Sequence, residues 1–382
     1  MADTPTLSEP AAPGDAVIQR WAEHIRATAA DGRTLRIRGG GTKAFLLPPP
    51  AAGAEVLDTR EHTGIVSHEP TELVVTARCG TPLAELEEAL AQHGQCLPFE
   101  PPHFGPGATV GGMVAAGLAG PARLAVGGVR DYVLGARLLN GRGEHLIFGG
   151  QVMKNVAGYD VSRALAGSFG TLGVITEVSL KVLPLAAGEA TLRLPLDQAA
   201  ALQHLARWRG QPLPLNASAW IADDGGTLWL RLRGAAAAVA AACERLLAEA
   251  GGERVEDAAA RAFWQALREQ TAPFFTQPPS PAHGLWRLAV KPTAPVSSLP
   301  GPTLIEWFGG QRWVWAPLSA AETLRTLARE AGGHATLFRA PTDAPDAGDR
   351  HTSPEPTMRA LQQRVRVAFD PQGVFGPGPW GY

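Results

Sequence analysis

Cysteine is scarce in this sequence: 382 residues contain only Cys79, Cys96 and Cys243. Three widely separated thiols do not make a disulfide framework, and they lack the close CxxC spacing that is typical of zinc and iron–sulfur sites. We therefore expect a protein of a reducing compartment that holds no metal of its own.

Long apolar runs are also missing from this sequence. Its first ten residues, MADTPTLSEP, have neither the basic nor the apolar region of a secretory signal. The most apolar run of small residues, 108–120, is interrupted by glycines and is shorter than the ~18 residues that a membrane helix needs. The sequence therefore predicts a cytoplasmic protein.

An excess of positive charge is missing as well. The 34 Lys and Arg residues are balanced by 36 Asp and Glu residues, so the net charge is -2. No broad positive field is available to attract nucleic acid. A composition that is 45% hydrophobic and 18% charged excludes a disordered chain. The length suits two domains.

Glycine and proline, in contrast, are abundant, with 44 and 33 residues. Up to about residue 185, glycine clusters alternate with short β-branched runs, a pattern typical of an α+β domain whose loops hold a ligand. One helix is clearly indicated, with Thr81 as N-cap, Pro82 in the first turn, and Leu83, Leu86 and Leu90 on one face. The predicted strands of this half are 34–38, 73–77, 133–139 and 174–182.

From about residue 189 the pattern becomes more regular. Asp197 opens a helix, an Asp-Asp-Gly-Gly turn joins a hairpin, and Ser319 with Glu322 forms a capping box at a later helix. The strands and helices of this half form two units of the β-α-β-β-α type. Two such units predict one antiparallel sheet backed by helices. We interpret the stretches 271–280 and 340–356 as exposed loops. The predicted strands are 191–196, 217–222, 227–233, 285–290, 303–308, 312–316 and 335–339, and the predicted helices are 198–208, 235–250 and 319–331. Four tryptophans of this half are predicted to be sheet core rather than a platform for stacked bases: Trp286, Trp307, Trp313 and Trp315.

Three glycine-rich motifs can carry chemistry. The first is Arg38-Gly39-Gly40-Gly41-Thr42-Lys43, directly after a predicted strand. Its glycines allow several backbone N–H groups to turn toward an anion such as a diphosphate, although for this motif alone a purely structural turn is the commoner alternative. It has the spacing of neither a Walker A loop nor a dinucleotide G-x-G-x-x-G loop.

The second motif runs from Glu100 to Met113 and combines a proline-stiffened approach with Thr109 and Gly111-Gly112, which open a helix. N–H groups at that helix start can face a phosphate or a ring carbonyl. A rigid structural loop is the alternative, and His103 alone is more often structural. The third motif joins KNVAGYD (154–160) to GSFGTLGVIT (167–176), whose glycines suit either a flat cofactor or ordinary tight turns.

The order of RGGGTK, PPHFGPGATVGG, GGVRDYVLG, MKNVAGYD and GSFGTLGVITEVSLKVLP resembles the FAD-binding domain of the vanillyl-alcohol oxidase and p-cresol methylhydroxylase (PCMH) type. More narrowly, it is similar to the E-subunit family of bacterial glycolate oxidases. The resemblance covers about 34–184, with a weaker match at 369–375. It implies an α+β fold: a two-subdomain PCMH-type FAD domain over 1–186, an antiparallel-sheet cap-like domain over 187–364, and a tail over 365–382 that returns to the FAD domain.

The resemblance further implies that FAD lies between the two subdomains, with its diphosphate against the first two motifs. No histidine or cysteine adjoins the first motif, so we expect noncovalent FAD. The candidate FAD-binding residues are Arg38, Gly39, Gly40, Gly41, Thr42, Lys43, Pro102, Gly107, Ala108, Thr109, Gly111, Gly112, Met113, Gly117, Asp131, Asn155, Gly158, Tyr159, Asp160, Gly170, Thr171, Gly173, Val174 and Ile175.

The implied function is that of an FAD-binding subunit in a complex that oxidises glycolate or another 2-hydroxy acid. A second flavin subunit would handle the substrate, an iron–sulfur subunit would accept electrons, and any membrane contact would be made through the complex. A self-sufficient dehydrogenase and a structural subunit with a vestigial flavin site are the alternatives.

Two departures from the family bear on these alternatives. The tail reads Gly376-Pro377-Gly378 where relatives often have Asn-Pro-Gly, and the histidines of the second half are scattered, without an acid/base cluster. No catalytic residue is assigned. The polar side chains near the cofactor loops are His103, Arg130 and Lys154.

Overall fold

The computed structural model describes residues 13–150, 160–347 and 350–379. The helices are α1 Pro13–Ala30, α2 Leu83–Ala91, α3 Val110–Ala116, α4 Arg123–Val126, α5 Val129–Tyr132, α6 Gln198–Arg209, α7 Ala236–Ala250, α8 Asp257–Arg268, α9 Pro273–Thr276, α10 Ala321–Glu330 and α11 Pro356–Phe369. The strands are β1 Leu35–Arg38, β2 Glu55–Asp58, β3 Ile65–Glu69, β4 Val74–Arg78, β5 Gln95–Cys96, β6 Val133–Leu139, β7 His145–Gly149, β8 Val174–Lys181, β9 Leu183–Pro184, β10 Gly188–Pro195, β11 Leu215–Ile221, β12 Thr227–Gly234, β13 Glu253–Arg254, β14 His283–Ala289, β15 Thr303–Glu306, β16 Gln311–Pro317 and β17 His334–Arg339. Short 3-10 helices occur at Ala44–Leu46, Ser162–Leu165, Trp307–Gly309 and Leu318–Ala320.

A small subdomain is built from both ends of the described chain. β1 pairs in parallel with β2, and α1 buries Trp21 and Ile25 against Leu35 of β1. The C-terminal segment returns to the same place, where the Leu35 N–H donates to the Val374 carbonyl at 2.7 Å. This contact fixes one side of the strand that leads into the first glycine motif.

The second subdomain is a five-stranded antiparallel sheet in the order β3-β4-β8-β6-β7. Helices α2 and α3 bury their apolar side chains against it, as the leucine spacing of α2 predicts. The predicted N-cap is wrong. Thr81 uses its hydroxyl to accept from the Gly64 N–H at 2.9 Å, and α2 begins at Leu83 with Pro82 before it.

The cap is an eight-stranded sheet in the order β13-β10-β12-β11-β15-β16-β14-β17, with antiparallel pairing throughout. Helices α6, α7 and α10 cover one face. On the opposite face α8 and α9 pack with Leu46 of the first domain. The α+β architecture is therefore confirmed, and the four tryptophans named above are all buried. The domain boundaries at 186 and 364 stay predictions.

Some cap details differ from the sequence prediction. The Ser319 capping box is wrong, because α10 begins at Ala321 without a side-chain cap and Glu322 instead accepts from Arg329 at 2.8 Å. The stretch 271–280 contains α9, which buries Phe275. Helices α1, α8 and α11 were not predicted. The N-cap of α8 is a glutamate, Glu256, a residue that gives no strong start signal.

No helix in the described part of the chain is long and apolar enough to cross a membrane. Among residues 13–150, 160–347 and 350–379, no group of three His, Cys, Asp or Glu side chains is arranged to hold a metal ion.

Candidate functional site

A cleft lies where β1, α3 and the turn before β8 meet. It is lined by twelve of the predicted residues: Arg38, Gly39, Gly40, Gly41, Thr42, Lys43, Thr109, Gly111, Gly112, Gly170, Gly173 and Ile175. The tertiary structure thus brings parts of all three motifs to one place. The apolar walls include residues that the sequence did not single out, namely Ile37, Leu47, Ala115, Ala116 and Phe169.

The first motif is an open nest of backbone donors. Within the described residues, the five N–H groups from Gly39 to Lys43 donate to no backbone or side-chain acceptor, whereas the next one, of Ala44, donates to the Gly41 carbonyl at 3.0 Å. Unpaired backbone N–H groups at a partly buried site favour a bound anion. Gly41 has φ +73°, a conformation that glycine adopts without strain.

Close packing of the first two motifs requires glycine. A Cβ atom on Gly40 would overlap the Gly107 carbonyl oxygen, and one on Gly39 would overlap the hydroxyl of Thr109. The two loops therefore touch backbone to backbone, and Gly107 acts by supporting the nest.

The start of α3 differs from the expectation that its N–H groups face a ligand. The Val110 N–H donates to the Thr81 carbonyl at 2.9 Å, the Gly111 N–H donates to the Cys79 carbonyl at 2.8 Å, and the Gly112 N–H donates to the Thr109 hydroxyl at 3.2 Å. All three donors are satisfied by the protein, so the nest at Gly39 to Lys43 is the stronger anion site.

Lys43 supplies a titratable charge beside this nest. Its ammonium donates to the His103 carbonyl at 3.1 Å and to the Thr42 hydroxyl at 3.3 Å. Burial lowers the pKa of Lys43 to about 8, against the raising effect of the Glu269 carboxylate. An anion in the cleft would favour the charged form.

Cys79 lies on the cleft wall, which the sequence did not indicate. Burial raises the pKa of the Cys79 thiol to about 12, and a hydrogen bond from Thr59 lowers it only partly. The sulfur is therefore a neutral thiol at physiological pH and a poor nucleophile.

Several predicted residues have their side chains away from the cleft. Ala108, Met113, Thr171 and Val174 are buried in the protein core, with the Thr171 hydroxyl bonded to the Ser168 carbonyl at 2.8 Å. None of these four residues lines the cleft.

Other predicted residues have structural contacts. Gly117 ends α3 with φ +62°. Pro102 lies near the cap. The Asp131 carboxylate caps α5 by accepting from the Gly128 N–H at 2.8 Å. Asp160 pairs with Arg163 at 3.2 Å. Lys154, Asn155, Gly158 and Tyr159 lie outside the described residues.

His103 and Arg130 do not line the cleft. His103 Nε2 lies 2.9 Å from a Glu87 carboxylate oxygen, and the His103 N–H donates to Glu269 at 3.0 Å. Arg130 is exposed. His103 therefore connects its loop to α2 and to the residue after α8.

A buried ion pair connects the cap to the FAD-binding part of the chain. Arg231 of β12 donates to both carboxylate oxygens of Glu100, at 2.6 and 2.8 Å, and its Nε donates to Asn216 at 2.7 Å. Arg233 adds a longer contact to Glu100 at 3.4 Å. These charged pairs between distant segments orient the cap over the cleft.

A second cavity lies between the cap sheet and the end of α3. It shares Ala116 and Phe169 with the cleft, and Arg287, His334 and His351 line it. Two of the histidines that are scattered in the sequence are thus brought together. The sequence held no signal for this cluster, because its members come from separate segments.

The comparisons with known proteins agree with this geometry. Residues 18–149 match the family described as an FAD binding domain. The chain is 47% identical over 364 residues to the glycolate oxidase subunit GlcE of Escherichia coli, which covers 94% of this chain and 96% of that protein.

Partial relatives also match. The glycolate oxidase subunit GlcD of Bacillus subtilis is 32% identical over 147 residues, or 38% of this chain and 31% of that protein. The D-lactate dehydrogenase of Archaeoglobus fulgidus is 32% identical over 200 residues, or 50% of this chain and 44% of that protein. A solved structure of alkyldihydroxyacetonephosphate synthase superposes with a TM-score of 0.62 at 14% identity, over 93% of this chain and 73% of that one, and this likeness concerns the fold. The chain belongs to the family of the glycolate oxidase subunit GlcE, an FAD-dependent oxidoreductase family, and its cofactor is FAD.

Proposed function

We propose that this chain carries noncovalent FAD in a complex that oxidises glycolate, and that it passes electrons onward within that complex. The open nest of five backbone N–H groups from Gly39 to Lys43 carries the proposal, since it offers donors to a diphosphate. When bound, FAD supplies the capacity to take up and release electrons.

The other walls of the cleft suit the rest of the cofactor. The ammonium of Lys43 adds positive charge beside the nest. Ala115, Phe169 and Ile175 offer an apolar surface against which a flat ring can pack. The residues that would hold FAD are therefore the twelve predicted cleft residues together with these apolar neighbours.

The noncovalent link rests on the side chains near the cleft. His103 is engaged with Glu87 outside it, and Cys79, which does line it, is a neutral thiol. Neither is suited to form a bond to the flavin. Acid precipitation should therefore release the yellow chromophore into the supernatant, and flavin retained in the pellet would contradict the proposal.

The proposed partners are a second flavin subunit and an iron–sulfur subunit. This chain has three separate cysteines, so an iron–sulfur cluster would have to come from another chain. Assembly with such partners would place the complex in the cytoplasm, with peripheral contact at the inner face of the membrane.

A matched pair of glycine substitutions tests the nest. Gly41 and Gly53 have nearly the same backbone, with φ +73° and +76°, and neither has a crowded Cβ position, but only Gly41 lines the cleft. Gly41→Val and Gly53→Val therefore carry similar backbone strain. We expect Gly41→Val to purify with little flavin and Gly53→Val to purify yellow. Equal flavin content in both variants would show that the loop is only a turn.

A reduction experiment tests the place of the chain in the complex. We expect anaerobic glycolate to bleach the flavin of the isolated chain very slowly and that of the assembled complex rapidly. Rapid bleaching of the isolated chain would favour a self-sufficient dehydrogenase.

A further inference from the structure

The cavity above the end of α3 is a second chamber, between the first domain and the cap sheet. One wall consists of α3 and the residues after it, Gly117 to Ala119, and the other consists of β14 and β17 of the cap sheet. Because the chamber shares Ala116 and Phe169 with the FAD cleft, the two spaces are neighbours. A molecule in the chamber would lie beside a cofactor in the cleft, on its cap side.

The ionisable side chains that line this chamber are all basic. Arg123, Arg287, His334 and His351 line it, and no Asp or Glu is among the described residues of its wall. Protein interiors rarely hold an uncompensated cation, because burial away from water destabilises a charge that lacks a partner. Asp131 is a nearby counter-charge for Arg123, so the cation of this wall that lacks a partner among the described residues is Arg287. An unpaired guanidinium that lines a cavity favours a bound anion.

Arg287 is the central cation. Its Nε is buried and has no hydrogen-bond partner, and within the described residues its guanidinium forms no ion pair. It packs over the ring of Phe338, with 5.4 Å between Cζ and the ring centroid. Burial, together with the charge of Arg123, lowers the pKa of Arg287 to about 10, so the guanidinium is still charged at neutral pH.

The neighbouring side chains add donors. Burial and the charge of Arg287 lower the pKa of His334, which favours a neutral imidazole that can donate one hydrogen bond. Thr336 brings a hydroxyl group to the same wall, whereas the Thr352 hydroxyl already donates to the Ala335 carbonyl at 2.9 Å. A planar fork of N–H donors beside hydroxyl and imidazole donors is the usual recognition pattern for a carboxylate.

We propose that this chamber binds the carboxylate of a small 2-hydroxy acid or its 2-oxo product, with Arg287 as the principal anion-binding residue and His334 as a second contact. The choice of acid rests on the proposed function, whereas the anion site rests on the chamber itself. This subunit would then hold a carboxylate ligand of its own next to its flavin, in addition to any site on a partner chain.

Oxalate, an unreactive two-carbon carboxylate, is a suitable probe for the purified, FAD-loaded full chain. We expect saturable binding by calorimetry, with a change in the visible flavin spectrum at the same concentrations. Arg287→Met should weaken oxalate binding roughly 10- to 100-fold, the effect of losing one charge-assisted contact. Because the arginine is unpaired in the fold, its loss should leave the melting temperature unchanged or higher.

A matched control and a second variant sharpen the test. Arg339 is another partly buried arginine of the cap that packs on an aromatic ring, but it does not line the chamber, so Arg339→Met should bind oxalate normally. His334 lines the chamber, and His334→Leu should weaken oxalate binding several-fold.

The outcomes separate this proposal from the previous one. Equal oxalate affinity in wild type, Arg287→Met and His334→Leu would overturn the site, as would inorganic phosphate binding as tightly as oxalate. If Arg287→Met lost FAD or changed its midpoint potential but kept oxalate affinity, the arginine would belong to the flavin and the proposal would fail. Oxalate binding by a chain that purified without FAD would support the chamber and refute the noncovalent FAD site.

Discussion

Replacement of Glu306 by glutamine should remove a pH dependence from the stability of the cap. Glu306 ends β15, is 4% exposed, and accepts hydrogen bonds from Trp313 Nε1 at 2.6 Å and Gln311 Nε2 at 3.1 Å. Burial is the largest influence on this carboxyl and raises its pKa from 4.5 to about 7, against the lowering effect of the two hydrogen bonds. Its surroundings therefore favour the protonated form.

The free energy follows from the difference between the folded and unfolded pKa. A rise from 4.5 to about 7 corresponds to roughly 3 kcal/mol of unfolding free energy. The folded protein holds this proton more tightly than the unfolded chain, so the contribution is complete below the unfolded pKa. It is lost as the pH rises to about 7, above which the ionised carboxylate is buried at full cost.

Urea unfolding of the FAD-loaded chain at pH 5 and pH 8, followed by tryptophan fluorescence, measures the effect. We expect the wild type to lose roughly 2–3 kcal/mol of stability between these pH values relative to Glu306→Gln, whose amide still accepts from Trp313. The exposed Glu322 serves as control, and Glu322→Gln should keep the wild-type pH profile. Parallel profiles for wild type and Glu306→Gln would refute the reasoning, because they would mean that the carboxyl is hydrated.

Three further predictions concern the cofactor cleft and the contact between domains. Gly40→Ala should abolish flavin binding, because its methyl group would overlap the Gly107 backbone. Gly107→Ala is the control and should keep its flavin, because its added Cβ would lie 3.4 Å from the nearest atom. The ratio of visible to ultraviolet absorbance measures the flavin content of both variants. FAD affinity of the apoprotein, followed by quenching of flavin fluorescence, should weaken as the pH rises above about 8 and Lys43 loses its proton. A Lys43→Met protein with the same pH profile would contradict this role. Arg231→Met leaves Glu100 buried without its principal partner and should cost about 3 kcal/mol of stability, seen in thermal unfolding. Melting at the wild-type temperature would refute this assignment.

Features that depend on the local backbone were predictable from the sequence. The glycines of the first motif predicted a turn that leaves several backbone N–H groups open to an anion, and among the described residues the N–H groups from Gly39 to Lys43 have no protein acceptor. Asp197 caps α6 as expected, because an N-cap hydrogen bond reaches only three residues along the chain. The repeated order of strands and helices in the second half likewise predicted an antiparallel sheet.

Features that depend on distant neighbours were not predictable. Thr81 stands at a position typical of an N-cap, but its hydroxyl accepts a hydrogen bond from the Gly64 N–H. The sequence at the start of α3 is typical of a phosphate site. Its first N–H groups instead donate to the carbonyls of Cys79 and Thr81 and to the Thr109 hydroxyl. In both cases a tertiary hydrogen bond replaces the local arrangement.

By itself, the sequence determined the glycine-rich turns, the family and most strands of the cap, because turn conformation and strand formation are set by residues close in the chain. Only the tertiary structure decided which charges face one another. Arg287 and His334 come from different strands of the cap and Arg123 comes from the FAD-binding part, and they meet because β14 and β17 lie over the end of α3. The lowered pKa values of Arg287 and His334, and the raised value of Glu306, arise from burial and neighbouring charge that exist only in the folded chain.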